Sequence, residues 1–263
     1  MINELNHVGI VVRDLDASLA FYQRAFGAVI VFQRIIPASQ TDVVYLQMAG
    51  GMIELLHPRN PGPDERYGTT HIAFMSDNLD TDYERLVSQG ARELVAPRVA
   101  GTGVGRLAFV SDPHGARVEL LQRELAMRST PVEHPHVAAF DHYSVIADDL
   151  EAARAFYGDQ LGMVTLTTMT VPATGITVDY LHWDYDVLEL LHRPTPSSDP
   201  IFAHIALRVT DLEALLADLA ELGIRPESGT PGTDETGHGR SATVVDPDGV
   251  QIELLDRPDL RTL

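Results

Sequence analysis

The chain has 263 residues, a formal net charge of −19 at pH 7, no cysteine and no lysine, all 19 basic residues being arginine. Thiol nucleophiles, thiolate ligands, disulfides and lysine Schiff bases are therefore excluded. The acidity argues against nucleic acid and anionic membranes as partners, and no apolar run approaches a membrane span. The first strand begins almost at the initiating Met1, leaving no room for a signal peptide, so a cytoplasmic protein is expected.

Leu5, Val8, Ile10 and Val12 make an apolar run punctuated by His7, Gly9 and Arg13, which reads as a strand. Asp14 or Asp16 can cap the helix that follows, Leu19, Tyr22 and Phe26 recur at helical spacing, and Gly27 suits a left-handed stop. The spacing predicts a helix over Asp16 to Phe26, then three short alternating runs, the last (IELL) carrying Glu54. A second module opens at His71, has its helix in LDTDYERLVSQG, turns at Asp112-Pro113-His114-Gly115 and ends in VELL with Glu119.

Between Arg123 and Ala139 lies a polar, proline-containing linker whose His134 and His136 read as solvated. A third module starts at His142, repeats DLDASLAFY as DLEAARAFY with Gly162 as the stop, and closes on Glu189. The fourth runs from His204 through LEALLADLAELG and the turn Asp246-Pro247-Asp248-Gly249 to Glu253. His7 and His142 are 135 positions apart, as are Glu54 and Glu189, so the chain is a tandem of two halves with two modules each. The order βαβββ, four times over, predicts an α+β fold in which modules pair into two open barrel-like sheets with helices outside, as domains 1–124 and 138–258. Modules one with two and three with four is the simplest pairing, and one with four and two with three is the exchanged alternative.

Each glutamate shares a strand face with apolar neighbours, where a bare carboxylate is costly and metal coordination offsets the cost. A single buried histidine is more often a hydrogen-bonded core residue than a ligand, but here four recur in register with four glutamates. Two His and two Glu inside each barrel suit one divalent ion, Zn, Ni, Co, Mn or Fe(II).

On these residues the chain resembles the vicinal oxygen chelate superfamily, which includes glyoxalases, bleomycin resistance proteins and extradiol dioxygenases. HVGIVVRDLDASLAFYQRAFG is similar to methylmalonyl-CoA epimerases and glyoxalase I, and HIAL with DPDGVQIELL is similar to glyoxalase I. The resemblance implies metal ligands His7, Glu54, His71 and Glu119 in the first half and His142, Glu189, His204 and Glu253 in the second. It implies an enzyme that chelates two neighbouring oxygens of a small carbonyl substrate and, through Glu119 or Glu253, shuttles a proton as an isomerase, epimerase or lyase does. A homodimer is compatible with it. Epimerases place a second catalytic glutamate where this chain has Tyr45 and Tyr180, so tyrosine as the acid is the substitute.

Two other readings follow from the same resemblance. Extradiol dioxygenases carry a second-sphere histidine before the DPxG turn, to which His238 in TGHGR is similar, though Thr243 stands where they have tyrosine and Glu189 adds a ligand they lack. Ligand-sequestering resistance proteins usually lack the ligand set. Arg34, Arg59, Arg106 and Arg240 are the arginines offered for an anionic substrate group, with a surface position the alternative that each favours. His57 and His192 are expected at the surface, with the rim as the alternative, His114 in a turn, and His182, in register with Gln47, could line the second barrel.

Overall fold

The computed structural model describes residues 1–125, 127–129, 133–172, 174–195, 202–227, 231–234 and 237–262. The first module comprises β1 (Ile2–Val11), α1 (Leu15–Phe26), β2 (Val29–Ile36), β3 (Thr41–Met48) and β4 (Gly51–Pro58). The second comprises β5 (Gly68–Ser76), α2 (Leu79–Ser88), β6 (Arg92–Val99), β7 (Arg106–Ser111) and β8 (Arg117–Gln122). In the second half, β9 (Val137–Ile146), α3 (Leu150–Arg154), β10 (Val164–Thr170), β11 (Thr177–Trp183) and β12 (Asp186–His192) precede β13 (Phe202–Val209), α4 (Leu212–Glu221), β14 (Gly232–Thr233), β15 (Arg240–Val245) and β16 (Gln251–Asp256).

Local sequence explains the boundaries. Asp14, Asn78, Asp149 and Asp211 each cap a helix by accepting a backbone N–H three residues on, and Gly27 ends α1 at φ +66°. The third helix departs from its close counterpart α1. It passes into a π turn over Ala155–Gln160, where Gly158 weakens the α preference.

Each half is one open eight-stranded sheet, ordered β2-β3-β4-β1-β5-β8-β7-β6 and β10-β11-β12-β9-β13-β16-β15-β14. Modules one and two join through the antiparallel β1–β5 pair, and three and four through β9–β13. The exchanged pairing is thereby excluded. The four strands at the centre of each sheet are the ones that carry the histidines and glutamates.

One apolar core runs through both halves, including Tyr22, Phe74 and Tyr157. Tyr22 donates to Asp246 Oδ2 at 2.8 Å, and Tyr157 donates to Asp112 Oδ2 at 3.0 Å, so each half's AFY tyrosine engages the other half's DPxG turn. Both aspartates also accept two backbone N–H groups of their own turns. Trp183, the single tryptophan, stacks edge-on against Phe74 of the opposite half with centroids 5.9 Å apart.

Candidate metal centres

In the first sheet, strand register sets two rows of residues. Gly9 pairs with Glu54 on one side and His71 on the other, while Ala73 lies between His7 and Glu119. The small residues in the middle let four large polar side chains converge above them. His7 Nε2 lies 3.5 Å from Glu54 Oε2 and 3.4 Å from Glu119 Oε2, and His71 Nε2 lies 3.4 and 3.3 Å from the same two atoms. The two Nε2 atoms are 3.3 Å apart, and all four residues are buried.

The electrostatics are those of a site that wants positive charge. Burial favours the neutral carboxyl, yet His7 and His71 hold Glu54 and Glu119 below the usual carboxylate range. Burial likewise opposes charge on His71, but Glu119 and Glu54 outweigh it and lift the imidazole to about 9. Glu119 Oε2 is buried with no hydrogen-bond partner among the described residues. An orphaned buried carboxylate oxygen beside two imidazoles and a second carboxylate fits a divalent ion, which would meet all four atoms at once.

The second cluster differs from the first at register-matched positions. His142 Nε2 and His204 Nε2 are 2.9 Å apart, and Glu189 is 3.6 and 3.4 Å from them. Glu253 is 3.4 Å from His204 but lies outside the mutual cluster of the other three. Where the first half has Gly9, the second has Ser144, whose hydroxyl donates to Glu189, and Tyr180 donates to the same carboxylate at 2.8 Å. Where the first has Thr70, hydrogen-bonded to His71 Nδ1 at 3.0 Å, the second has Ala203. Burial pulls His204 down to about 4.

A cavity of about 830 Å³ opens onto the first cluster, with Tyr45, Phe109, Arg98 and Arg117 in its wall. The second cluster has about 480 Å³ beside it, lined by His204, Glu253, Thr243 and the first half's Tyr67. His238 is exposed, its backbone N–H bonded to Asp234, and is not in that lining. Neither is His182, on β11, whose Nδ1 is buried with no partner among the described residues.

The arginines offered from the sequence are engaged elsewhere. Arg59 pairs with Asp42, Arg106 with Asp80 and Arg240 with Glu213, and Arg34 stacks on Phe32. His57 and His192 bond the carbonyls of Val12 and Ala147, which ties strand ends together. His114 reaches Asp149 O of the opposite half. Sequence reasoning missed Asn6 and Asp141, whose Oδ1 atoms lie 3.0 and 2.9 Å from the Nδ1 of His7 and His142. It also missed Arg123 and Arg257, which bond those oxygens. Their spacings of 135 and 134 positions were the available signal.

The fold and its paired His–Glu clusters define a protein of the vicinal oxygen chelate type. The sequence profile of the Glyoxalase/Bleomycin resistance protein/Dioxygenase superfamily matches residues 4–120 and 139–254, and the chain belongs to that family. It is 23% identical to lactoylglutathione lyase of Schizosaccharomyces pombe, over 97% of this chain and 96% of that one. It is 32% identical to ethylmalonyl-CoA/methylmalonyl-CoA epimerase of Cereibacter sphaeroides, over 46% of this chain and 99% of that one. Homoprotocatechuate 2,3-dioxygenase from Brevibacterium fuscum shares the fold, with a TM-score of 0.68 at 19% identity over 97% of this chain and 81% of that one. Full-length lyases among its relatives mark the chain as an enzyme of the metal-dependent lyase kind.

Proposed function

We propose that the protein is a divalent-metal-dependent lyase or isomerase of the glyoxalase or epimerase type, acting in its first half on a small carbonyl substrate with an anionic group. The observation that carries this reading is the convergence of His7, Glu54, His71 and Glu119, the last three of which line the cavity of about 830 Å³. Those residues would hold the ion, which when bound supplies Lewis-acid stabilisation of charge on two neighbouring substrate oxygens. His142, Glu189 and His204, with Glu253 beside them, are the proposed second site.

Glu119 is the proposed base. Its Oε2 has no hydrogen-bond donor holding it, whereas Glu189 is pinned by two hydroxyls. In a glyoxalase-type reaction it takes a proton from the hydroxyl-bearing carbon next to the carbonyl and returns it to the old carbonyl carbon, the first carbon's oxygen becoming the new carbonyl. In an epimerase-type reaction the same carbon is reprotonated on its other face. Tyr45 packs edge-on to His7 at 4.9 Å, and burial holds its hydroxyl well above 10, so it walls the site and is a poor proton donor. Burial raises the Tyr180 hydroxyl in the same way, and its bond to Glu189 makes it an orienting group. Arg98 and Arg117 stand at the cavity wall, Arg117 over the Phe109 ring at 4.1 Å, and meet the anionic group of the substrate.

Metal analysis of protein purified without chelator should find stoichiometric transition metal. Conversion of a glutathione–ketoaldehyde adduct to lactoylglutathione and epimerisation of methylmalonyl-CoA, each assayed with the metal-loaded protein, test the two substrate types. Glu119→Gln should lower kcat at least 100-fold with metal still bound. Arg117→Met should raise KM about tenfold and leave kcat nearly unchanged, as loss of ground-state binding does. Oxygen uptake with catechols and no proton-transfer activity would favour a dioxygenase instead.

A further inference from the structure

Behind the first-strand histidine of each half stands an arginine that the proposed reaction does not use. Arg257 is buried at 6% exposure, and its Nη2 donates to Asp141 Oδ1 at 2.8 Å. That same oxygen lies 2.9 Å from His142 Nδ1. In the first half Arg123 Nη2 donates to Asn6 Oδ1 at 2.7 Å, and this oxygen lies 3.0 Å from His7 Nδ1. Each guanidinium also lies over the tyrosine ring of its own site, 5.2 Å from the centroid of Tyr45 and 5.6 Å from that of Tyr180.

A guanidinium has five donors, no acceptor and no accessible deprotonated form. The atom it touches is therefore an acceptor. For Asn6 this settles which amide atom is the oxygen, and the Nδ2 group turns instead to Glu4 Oε1 at 2.5 Å. An acceptor already facing a donor on one side can only receive from the imidazole on the other, so Nδ1 carries the ring proton. Nε2 then keeps its lone pair, aimed into the ligand cluster.

We infer that Arg123–Asn6 and Arg257–Asp141 are positioning pairs that lock His7 and His142 in the Nδ1–H tautomer, and that the Asn-to-Asp difference makes His142 the stronger donor of the two. A carboxylate behind a ligating histidine raises its basicity more than a neutral amide oxygen does. The tautomer lock is independent of the metal reading, whereas the donor-strength difference rests on it.

Long-range nitrogen–proton NMR on the full-length, chelator-treated protein reads the tautomers directly, at alkaline pH where the rings are neutral. Both rings should carry the proton on Nδ1, and Arg123→Met, which frees the Asn6 amide to turn its NH2 toward the ring, should populate the Nε2–H form of His7. Arg257→Met leaves the Asp141 carboxylate an acceptor, so His142 should need Asp141→Asn as well before its Nε2–H form appears. A folded wild-type chain with either ring in the Nε2–H form overturns the lock. Zinc titration of the full chain then tests donor strength in the near-isosteric swaps, with the other centre disabled by His71→Ala or His204→Ala. Asn6→Asp should tighten the first centre about tenfold and Asp141→Asn loosen the second about tenfold. A merely structural role would weaken both. Shifts in one direction, or within twofold of wild type, overturn the donor-strength difference. Wild-type protein that binds no zinc at all, with its tautomers as expected, overturns the metal reading and leaves the lock standing.

Discussion

Gly9 shows how one missing side chain builds a centre. A Cβ there would stand 1.9 Å from His71 Cε1, so the imidazole occupies the space that any other residue would fill. Gly9 is not among the positive-φ glycines, which means alanine fits the backbone and displaces the ring alone. Gly9→Ala should therefore keep the fold at a cost of about 1–3 kcal/mol and cut metal affinity of the first centre at least tenfold. Isothermal titration checks this, and wild-type affinity in the variant would mean that His71 is not a ligand. The histidines and glutamates were legible because their repeat survives inspection, but the glycine was not. Its role depends on which strands become neighbours, and a single sequence does not state that.

Asp186 offers a separate test of burial at the residue scale. Burial pushes its carboxyl up to about 6 despite the Arg128 guanidinium 2.8 Å away. The folded state therefore holds this proton more tightly than the unfolded chain, whose aspartate titrates near 3.9. Stability tied to the group is fully present below about pH 4 and lost as pH rises through about 6. Asp186→Asn removes the titration. In chelated protein, urea midpoints of wild type should fall relative to the variant across that window by the equivalent of roughly 3 kcal/mol at most. A pH-independent difference between the two would show that the carboxyl titrates normally.

At the scale of elements, the AFY segments and the DPxG turns form a reciprocal clasp. From sequence, Tyr22 and Tyr157 fit as helix core and Asp112 and Asp246 as turn formers, and both descriptions hold. What spacing could not give is that each tyrosine reaches the turn of the opposite half. The caps and glycine stops were readable because they act within a few residues, whereas this contact spans more than two hundred positions for Tyr22. Tyr22 is fully buried, and its hydroxyl is held well above 10 by burial and then by Asp246. Tyr22→Phe leaves a buried carboxylate oxygen without its donor, so chemical denaturation should show a loss of about 1.5–3 kcal/mol. A loss under 0.5 kcal/mol would mean that water replaces the hydroxyl and that apolar packing alone sets the docking.

For the whole molecule, the tandem repeat suggests two independent units, while the shared core makes them interdependent. We propose 1–124 and 138–258 as the two domains, each a complete sheet around its own cluster. Yet Phe74 packs on Trp183 and Tyr157, and Tyr143 exchanges hydrogen bonds with both backbone groups of Met52 across the divide. Separating the halves would expose those side chains and leave Asp112 and Asp246 short of a partner each. Large exposed apolar patches drive association. Residues 1–124 produced alone should thus aggregate or bind a hydrophobic dye, and mixing with 138–258 should suppress this. In the intact chain Trp183 sits at the junction, so its fluorescence should change in the same denaturant range as the far-ultraviolet circular dichroism of both sheets. A fluorescence transition well before the loss of sheet signal would show that the halves undock before they unfold, and that the core is two cores in contact.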